Sequence, residues 1–167
     1  MRFHAGEFRR APVTVDLLCN IHNEIFKGIR EHAGRYRRHD YGSDTLSFGP
    51  NRSIHRYEVE AALDAAFTEL RKSIASFEQN TEEPSYESSA LRLAAWVHAT
   101  LIQIHPFEDG NGRACRLLMN AVLIRLGLRP IPLETPRLEY LACLNHFYST
   151  NDIRPLEDLC LRLYPIT

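Results

Sequence analysis

The feature that most constrains the fold is a helix signal that is apolar over most of its circumference. It runs from Ser88 or Ser89, either of which can cap it, to Ile104, and it stops at His105-Pro106. Leu91, Ala94, Ala95, Val97, Leu101, Ile102 and Ile104 leave little polar surface along it. A helix of this kind has to be wrapped by other elements, so it predicts the centre of a helical domain. The residue before a proline disfavours the α region, which fixes the end of the helix at His105.

The wrapping elements are legible as weaker stripes. Residues 13–30 carry Leu17, Ile21, Ile25 and Ile29 at helical spacing, followed by Gly34 and the basic stretch Arg35-Tyr36-Arg37-Arg38. Residues 57–78 repeat the signal through Val59, Leu63, Phe67, Leu70 and Ile74. Between these two lie short β-prone runs around Gly49-Pro50-Asn51, which predict a small hairpin over residues 45–55. A polar loop spans 78–87. After the central helix, a further one is predicted from Asn111 to Gly127, then two more over 136–149 and 155–163, the last opened by Pro155. The expected class is all-α with a small hairpin. No repeat or linker interrupts the chain, and 167 residues make one domain of ordinary size.

A net charge of −1 argues against a general nucleic-acid binder. No apolar run is long enough for a membrane span, and the start MRFHAGEFRR lacks the apolar core of a secretory signal. The expected location is cytoplasmic. Cys19, Cys115, Cys143 and Cys160 form no C-x-x-C pair and are expected to be reduced core thiols. A structural zinc site and a catalytic thiol at Cys115 are the alternatives.

The segment from His105 to Arg116 carries the chemistry. A buried helix runs into a loop with Gly110, Asn111 and Gly112, and the loop runs into a second helix. The amides of that helix's first turn are unpaired and carry partial positive charge, so loop and helix start form an anion cradle. Arg113 and Arg116 project from one face of the helix and can reach polyphosphate oxygens. Asp109 beside the cradle suits Mg²⁺ or Mn²⁺, which take one or two carboxylates together with phosphate oxygens. His105 is a base that titrates near neutrality. Singly, each residue has an ordinary structural explanation; in this order, at one helix–loop–helix junction, they describe a nucleotide site with a base beside it.

This segment matches every fixed position of H-P-F-x-(D/E)-G-N-G-R-x-x-R, the motif of the Fic family, which the chain resembles over about residues 13–163. Ile21-His22, Phe26, Ala33-Gly34-Arg35-Tyr36-Arg37, Arg116-Leu-Leu-Met-Asn120 and Asn151-Asp152-Ile-Arg-Pro155-Leu156 are similar to further family stretches. The resemblance implies a Fic-like helical bundle with a β-hairpin flap. It implies a protein adenylyltransferase that moves AMP from ATP to a Ser, Thr or Tyr hydroxyl of a target protein and releases pyrophosphate.

By position, His105 becomes the general base, Asp109 the metal ligand, and Gly110, Asn111 and Gly112 the anion hole. Arg113 and Arg116 bind the outer phosphates, and Phe107 anchors the loop. The flap docks the target through Thr45, Leu46, Ser47, Ser53, Ile54 and His55, while Tyr140 and Asn145 are the adenine-pocket candidates. Cys115 takes a variable position and receives no role. Transfer of UMP or phosphocholine, de-AMPylation, and a binding-only module are the other readings.

Many family members carry an inhibitory (S/T)-x-x-x-E-(G/N) helix. The nearest form here, Thr135-Pro-Arg-Leu-Glu139-Tyr140, lacks its last residue. Inhibition, if present, is therefore expected from an antitoxin-like partner supplying a Glu in trans, as in a toxin–antitoxin pair. The remaining options are that the chain is trimmed or is not inhibited in this way.

Overall fold

The computed structural model of the chain describes residues 12–80 and 84–164. In chain order the elements are α1 (Val15–Phe26), β1 (Ser47–Phe48), β2 (Asn51–Arg52), α2 (Arg56–Gln79), α3 (Tyr86–Ile104), α4 (Asn111–Arg125), α5 (Arg137–Thr150) and α6 (Arg154–Leu163). The class is all-α with a small two-stranded sheet, as expected. The loop expected over 78–87 lies partly outside the described residues, and its end is already helical at Tyr86.

The apolar circumference of α3 has the expected consequence. Ala90, Leu91, Ala94, Ala95 and Leu101 are wholly buried, and α2, α4, α5 and α6 all pack on this helix, while α1 packs on α4. The start of α3 differs from expectation. It begins at Tyr86 after Ser85, with no side-chain cap. Ser88 lies within the first turn, its Oγ donating to the Ser85 carbonyl at 3.0 Å. An overwhelmingly apolar helix gains enough from packing to begin without a cap.

α1 is capped by Thr14, whose Oγ1 accepts from the Leu17 amide at 3.2 Å. It ends at Phe26, short of the expected boundary at residue 30, and Ile29 is 73 % exposed. The buried face is Leu18, Ile21, His22 and Phe26 rather than the stripe through Leu17 and Ile25. His22 is thus a core position, and a hydrophobic pattern cannot flag it.

The hairpin is shorter than expected. Ser47 pairs with Arg52 and Phe48 with Asn51, so the turn is Gly49-Pro50 and Asn51 belongs to a strand. Thr45 and Leu46 precede the strands; the Leu46 carbonyl accepts from the Ser53 amide at 2.8 Å, and Ser53 Oγ accepts from the Leu46 amide at 2.8 Å. Ser53 is buried, the Ile54 carbonyl is bonded internally, and His55 caps α2 in a capping box with Glu58. These three residues therefore lie outside the strands, and their polar groups serve the fold before any partner. The four cysteines are free thiols, with Cys115, Cys143 and Cys160 buried. No described helix is long and apolar enough to cross a membrane.

Candidate functional site

The loop between α3 and α4 is held by its own residues. Asn111 is buried, and its side chain grips the backbone of Phe107 at both ends: Oδ1 accepts from the Phe107 amide at 2.8 Å and Nδ2 donates to its carbonyl at 2.7 Å. Only the Asn111 amide is then left for an anion. Phe107 is wholly buried and stacks on His22 with ring centroids 3.8 Å apart. Gly110 sits at φ +77, and a Cβ there would lie 2.1 Å from the Phe26 ring, so no other residue fits. The amides of Asn111 and Gly112, in the first turn of α4, have no intrahelical acceptor.

His105 ends α3 in the left-handed region at φ 54, uncommon for a residue with a Cβ. Its Nδ1 lies 3.2 Å from the Ile102 carbonyl. A carbonyl only accepts, so Nδ1 carries the proton and the neutral ring keeps its lone pair on Nε2. Burial pushes the imidazole below its ordinary value, and the nearby Arg37 cation adds to this against the opposing effects of the Ile102 bond and Asp109. The ring is therefore neutral at physiological pH, with its Nε2 lone pair unprotonated.

His105 lines a cavity of about 440 Å³ together with Gly112, Arg116, Tyr140, Asn145 and Phe48. That is the size range of small-molecule sites. Arg116 lines it beside Gly112, where an added Cβ would meet the guanidinium at an ordinary contact distance of 3.7 Å. Arg113 is exposed and lies outside the lining, its guanidinium 4.4 Å above the Phe26 ring. Asp109 is also outside the lining: Oδ1 accepts from the Gly110 amide at 2.6 Å, and Oδ2 pairs with Arg30 at 3.3 Å. Both partners of that ion pair are about half exposed, at 52 % and 47 %, so the pair is weak and the carboxylate can exchange it.

Both adenine-pocket candidates line the cavity. The Tyr140 hydroxyl lies 2.7 Å from His98 Nε2 and beside Arg116, and burial raises its pKa. Asn145 Oδ1 accepts from Asn51 Nδ2 at 2.7 Å, tying the flap to α5. Phe48 of the flap lies flat on His105, with centroids 4.3 Å apart and 4° between the planes. Of the six expected docking residues, Thr45, Leu46 and Ser47 lead into or begin the ladder, whereas Ser53, Ile54 and His55 are engaged as described above. Glu139 bonds Thr135 and Arg162, so it does not face Arg116.

Three residues of the site have roles that the sequence does not assign, although His22 and Arg37 fall within the stretches similar to the family. Tyr148 lines the cavity, and its hydroxyl is buried without a partner among the described residues. His22 accepts from the Gly34 amide on Nδ1 at 2.9 Å and donates from Nε2 to the Asp109 carbonyl at 3.0 Å. Arg37 is wholly buried at the junction of loop and flap. The repeated arginines around it hide it, since such a run reads as solvated surface.

A model of the Fic/DOC family matches residues 12–123. Protein adenylyltransferase fic-1 of Caenorhabditis briggsae is 33 % identical over 141 residues, which are 83 % of this chain and 27 % of that protein. Protein adenylyltransferase Fic of Nematostella vectensis is 32 % identical over 146 residues, 86 % of this chain and 30 % of that protein. The chain thus spans under a third of the length of these relatives. Among solved structures, Fic-1 from C. elegans superposes with a TM-score of 0.64 at 27 % identity, covering 90 % of this chain and 40 % of that one. The fold is also shared with BepC of Bartonella tribocorum, solved with bound AMPPNP: TM-score 0.73 at 20 % identity, covering 98 % of this chain and 81 % of that one.

Proposed function

Because the chain belongs to the Fic/DOC family, we propose that it is a protein adenylyltransferase, transferring AMP from ATP to a Ser, Thr or Tyr hydroxyl of a target protein. The observation that carries this reading is the tautomer of His105: its Nδ1–H is committed to Ile102, and its ring lines the same cavity as Arg116 and Gly112. The names of the relatives at 33 % and 32 % identity support the same activity.

In the proposed reaction the target hydroxyl oxygen attacks the α-phosphorus. Its proton passes to His105 Nε2, the bond from the α-phosphorus to the bridging oxygen breaks, and pyrophosphate leaves. General-base help of this kind supplies roughly 10²–10⁴ in rate. The first-turn amides of α4 and Arg116 stabilise the charge that develops on the phosphates. Arg113 serves the outer phosphate from the rim after leaving the Phe26 face. Tyr140 and Asn145 face the base, and the strands of the flap align an extended target segment by main-chain pairing. Asp109 fits a divalent cation, since a half-exposed carboxylate beside an anion cradle is the donor set that Mg²⁺ or Mn²⁺ shares with phosphates. When bound, the cation neutralises phosphate charge as pyrophosphate departs.

A carboxylate brought against Arg116 by an antitoxin-like partner would compete with the terminal phosphate; among the described residues no carboxylate pairs with that arginine. The test is incubation with Mg²⁺ and ATP labelled at either the α- or the γ-phosphate, with a cell lysate as acceptor. Protein-bound α label without γ label is the expected result. Bound γ label would mean phosphate transfer, label from UTP or CDP-choline in place of ATP would mean a different transferred group, and no label under any condition would mean a binding-only module.

A further inference from the structure

Arg37 is among the largest wholly buried side chains of the chain, and none of its hydrogen bonds goes to a carboxylate. It bonds backbone carbonyls from two places. On the motif side, Nε and Nη2 both donate to the His105 carbonyl, at 3.1 and 2.8 Å, and Nη2 also reaches the Ile104 carbonyl at 3.2 Å. The Arg37 amide donates to the Pro106 carbonyl at 2.7 Å. Three consecutive carbonyls at the end of α3 are thus held by one residue, where a helix leaves its acceptors orphaned and its partial charge negative.

On the flap side, Nη1 donates to the Ser43 and Asp44 carbonyls at 3.0 and 3.2 Å, and Nη2 to the Ile54 carbonyl at 3.3 Å. Asp44 precedes the hairpin and Ile54 follows it, so both legs of the flap end on the same guanidinium.

A second connection closes from outside. Glu108 occupies the motif position that the family leaves open. Its carboxylate accepts the Ser43 amide at 2.5 Å and the Ser43 hydroxyl at 2.8 Å. The amide, hydroxyl and carbonyl of Ser43 are therefore all held by Glu108 or Arg37. Gly42 permits the crossing: at φ +88, a Cβ there would lie 2.6 Å from Glu108 Oε1 and 2.8 Å from Arg37 Cγ.

We propose that Arg37, with Glu108 and Ser43, is a positioning device that holds the His105 backbone and both legs of the flap in one rigid frame, so that the base and the docked hydroxyl keep a fixed separation. The proposal rests on the adenylyltransferase reading for its consequence, and on geometry alone for the frame. A left-handed His105 needs such support, because a sparsely populated conformation persists only where its surroundings over-determine it. Lysine cannot replace the guanidinium, since three donors on a flexible stem cannot reproduce a planar fork.

The test compares the wild-type chain with Arg37→Lys and Glu108→Ala. Three properties are read: affinity for AMPPNP with Mg²⁺, hydrogen exchange of the flap amides with the nitrogen NMR signature of His105, and transfer of α-labelled AMP. Arg37→Lys is expected to leave nucleotide affinity within about threefold, to speed flap exchange, to mix the His105 tautomers, and to slow transfer on the order of 10²-fold. Glu108→Ala is expected to move exchange and transfer in the same direction by about threefold to tenfold, and it carries the test if Arg37→Lys does not fold. Unchanged exchange and tautomer in a folded variant would overturn the proposal, as would equal loss of transfer and nucleotide binding. If wild type transfers nothing, the adenylyltransferase reading fails, while the exchange and tautomer readouts still decide on the frame.

Discussion

The loop from His105 to Asn111 and the flap meet at one cavity, yet they are fixed to different degrees. The loop is held along its length: Asn111 grips Phe107, Gly110 fits against Phe26 of α1, His105 bonds Ile102 of α3, and Arg37 and His22 take the carbonyls of His105, Pro106 and Asp109. The flap has two strands of two residues each, and its fixed points are at its legs and at one side-chain bond, Asn51 to Asn145. A site that must present a base at fixed geometry and still admit a variable partner is served by this division. His105 is held rigidly, and the edge of the flap is left with few internal bonds.

The most severe way to break the comparison is to remove the base. His105→Ala is expected to reduce AMP transfer by roughly 10²–10⁴-fold while nucleotide binding and the fold survive; transfer near the wild-type rate would remove His105 from the mechanism.

Gly110→Ala attacks the loop's own packing. A Cβ at 2.1 Å from the Phe26 ring in a left-handed conformation is expected to destabilise by about 2–4 kcal/mol. Denaturant midpoints read this directly, and a shift smaller than for Asn51→Ala would reverse the ranking of the two regions.

Acid should separate them further. Burial lowers the pKa of His22 under the loop and brings that of His98 to about 4. The unfolded chain takes up these protons near pH 6.5, so the stabilisation is complete above that value and is lost as pH falls, down to about 4 for His98. The expected slope reaches about 1.4 kcal/mol per pH unit for His98, with His22 adding in the same direction, measurable by denaturation between pH 7 and 5. Stability that is flat in that window would contradict the burial of these two rings in their neutral form.

The mildest change is Asn51→Ala, which removes the flap's bond to α5. It is expected to cost about 1 kcal/mol or less, with faster exchange at Phe48 and little change in the loop. A global loss of stability would mean that the flap is not the lightly held partner.

The same division decides what can be read in advance. The loop's internal grip of Asn111 on Phe107 is local, so residue types and their order carry that part of it, and the central helix is visible in an apolar surface that only burial can satisfy. The hairpin is visible as a turn, but its strand limits are set by competing contacts, one remote and one local: Arg37 takes the Ile54 carbonyl, and His55 is spent on capping α2. The family-like stretch Ala33–Arg37 includes Arg37, but its role is unreadable there, because a buried cation satisfied by carbonyls of two distant segments has no periodicity or pairing in sequence. The end of α1 is misread for a related reason. Ile29 continues the apolar spacing, but the chain leaves the helix at Lys27 and Gly28 follows at φ +76.

The parallel stack of Phe48 on His105 has a stereochemical consequence. An imidazole lone pair lies in the plane of the ring, whereas a stacked ring covers its face. Phe48 therefore shelters one face of the imidazole from water without touching the Nε2 lone pair. A hydrogen-bond donor reaches Nε2 within the imidazole plane whether or not a face is covered, so what the stack adds is a fixed orientation for that plane. The direction in which the lone pair points is thus set by an aromatic side chain before any partner arrives, and a water molecule wandering over the covered face meets carbon and not a lone pair.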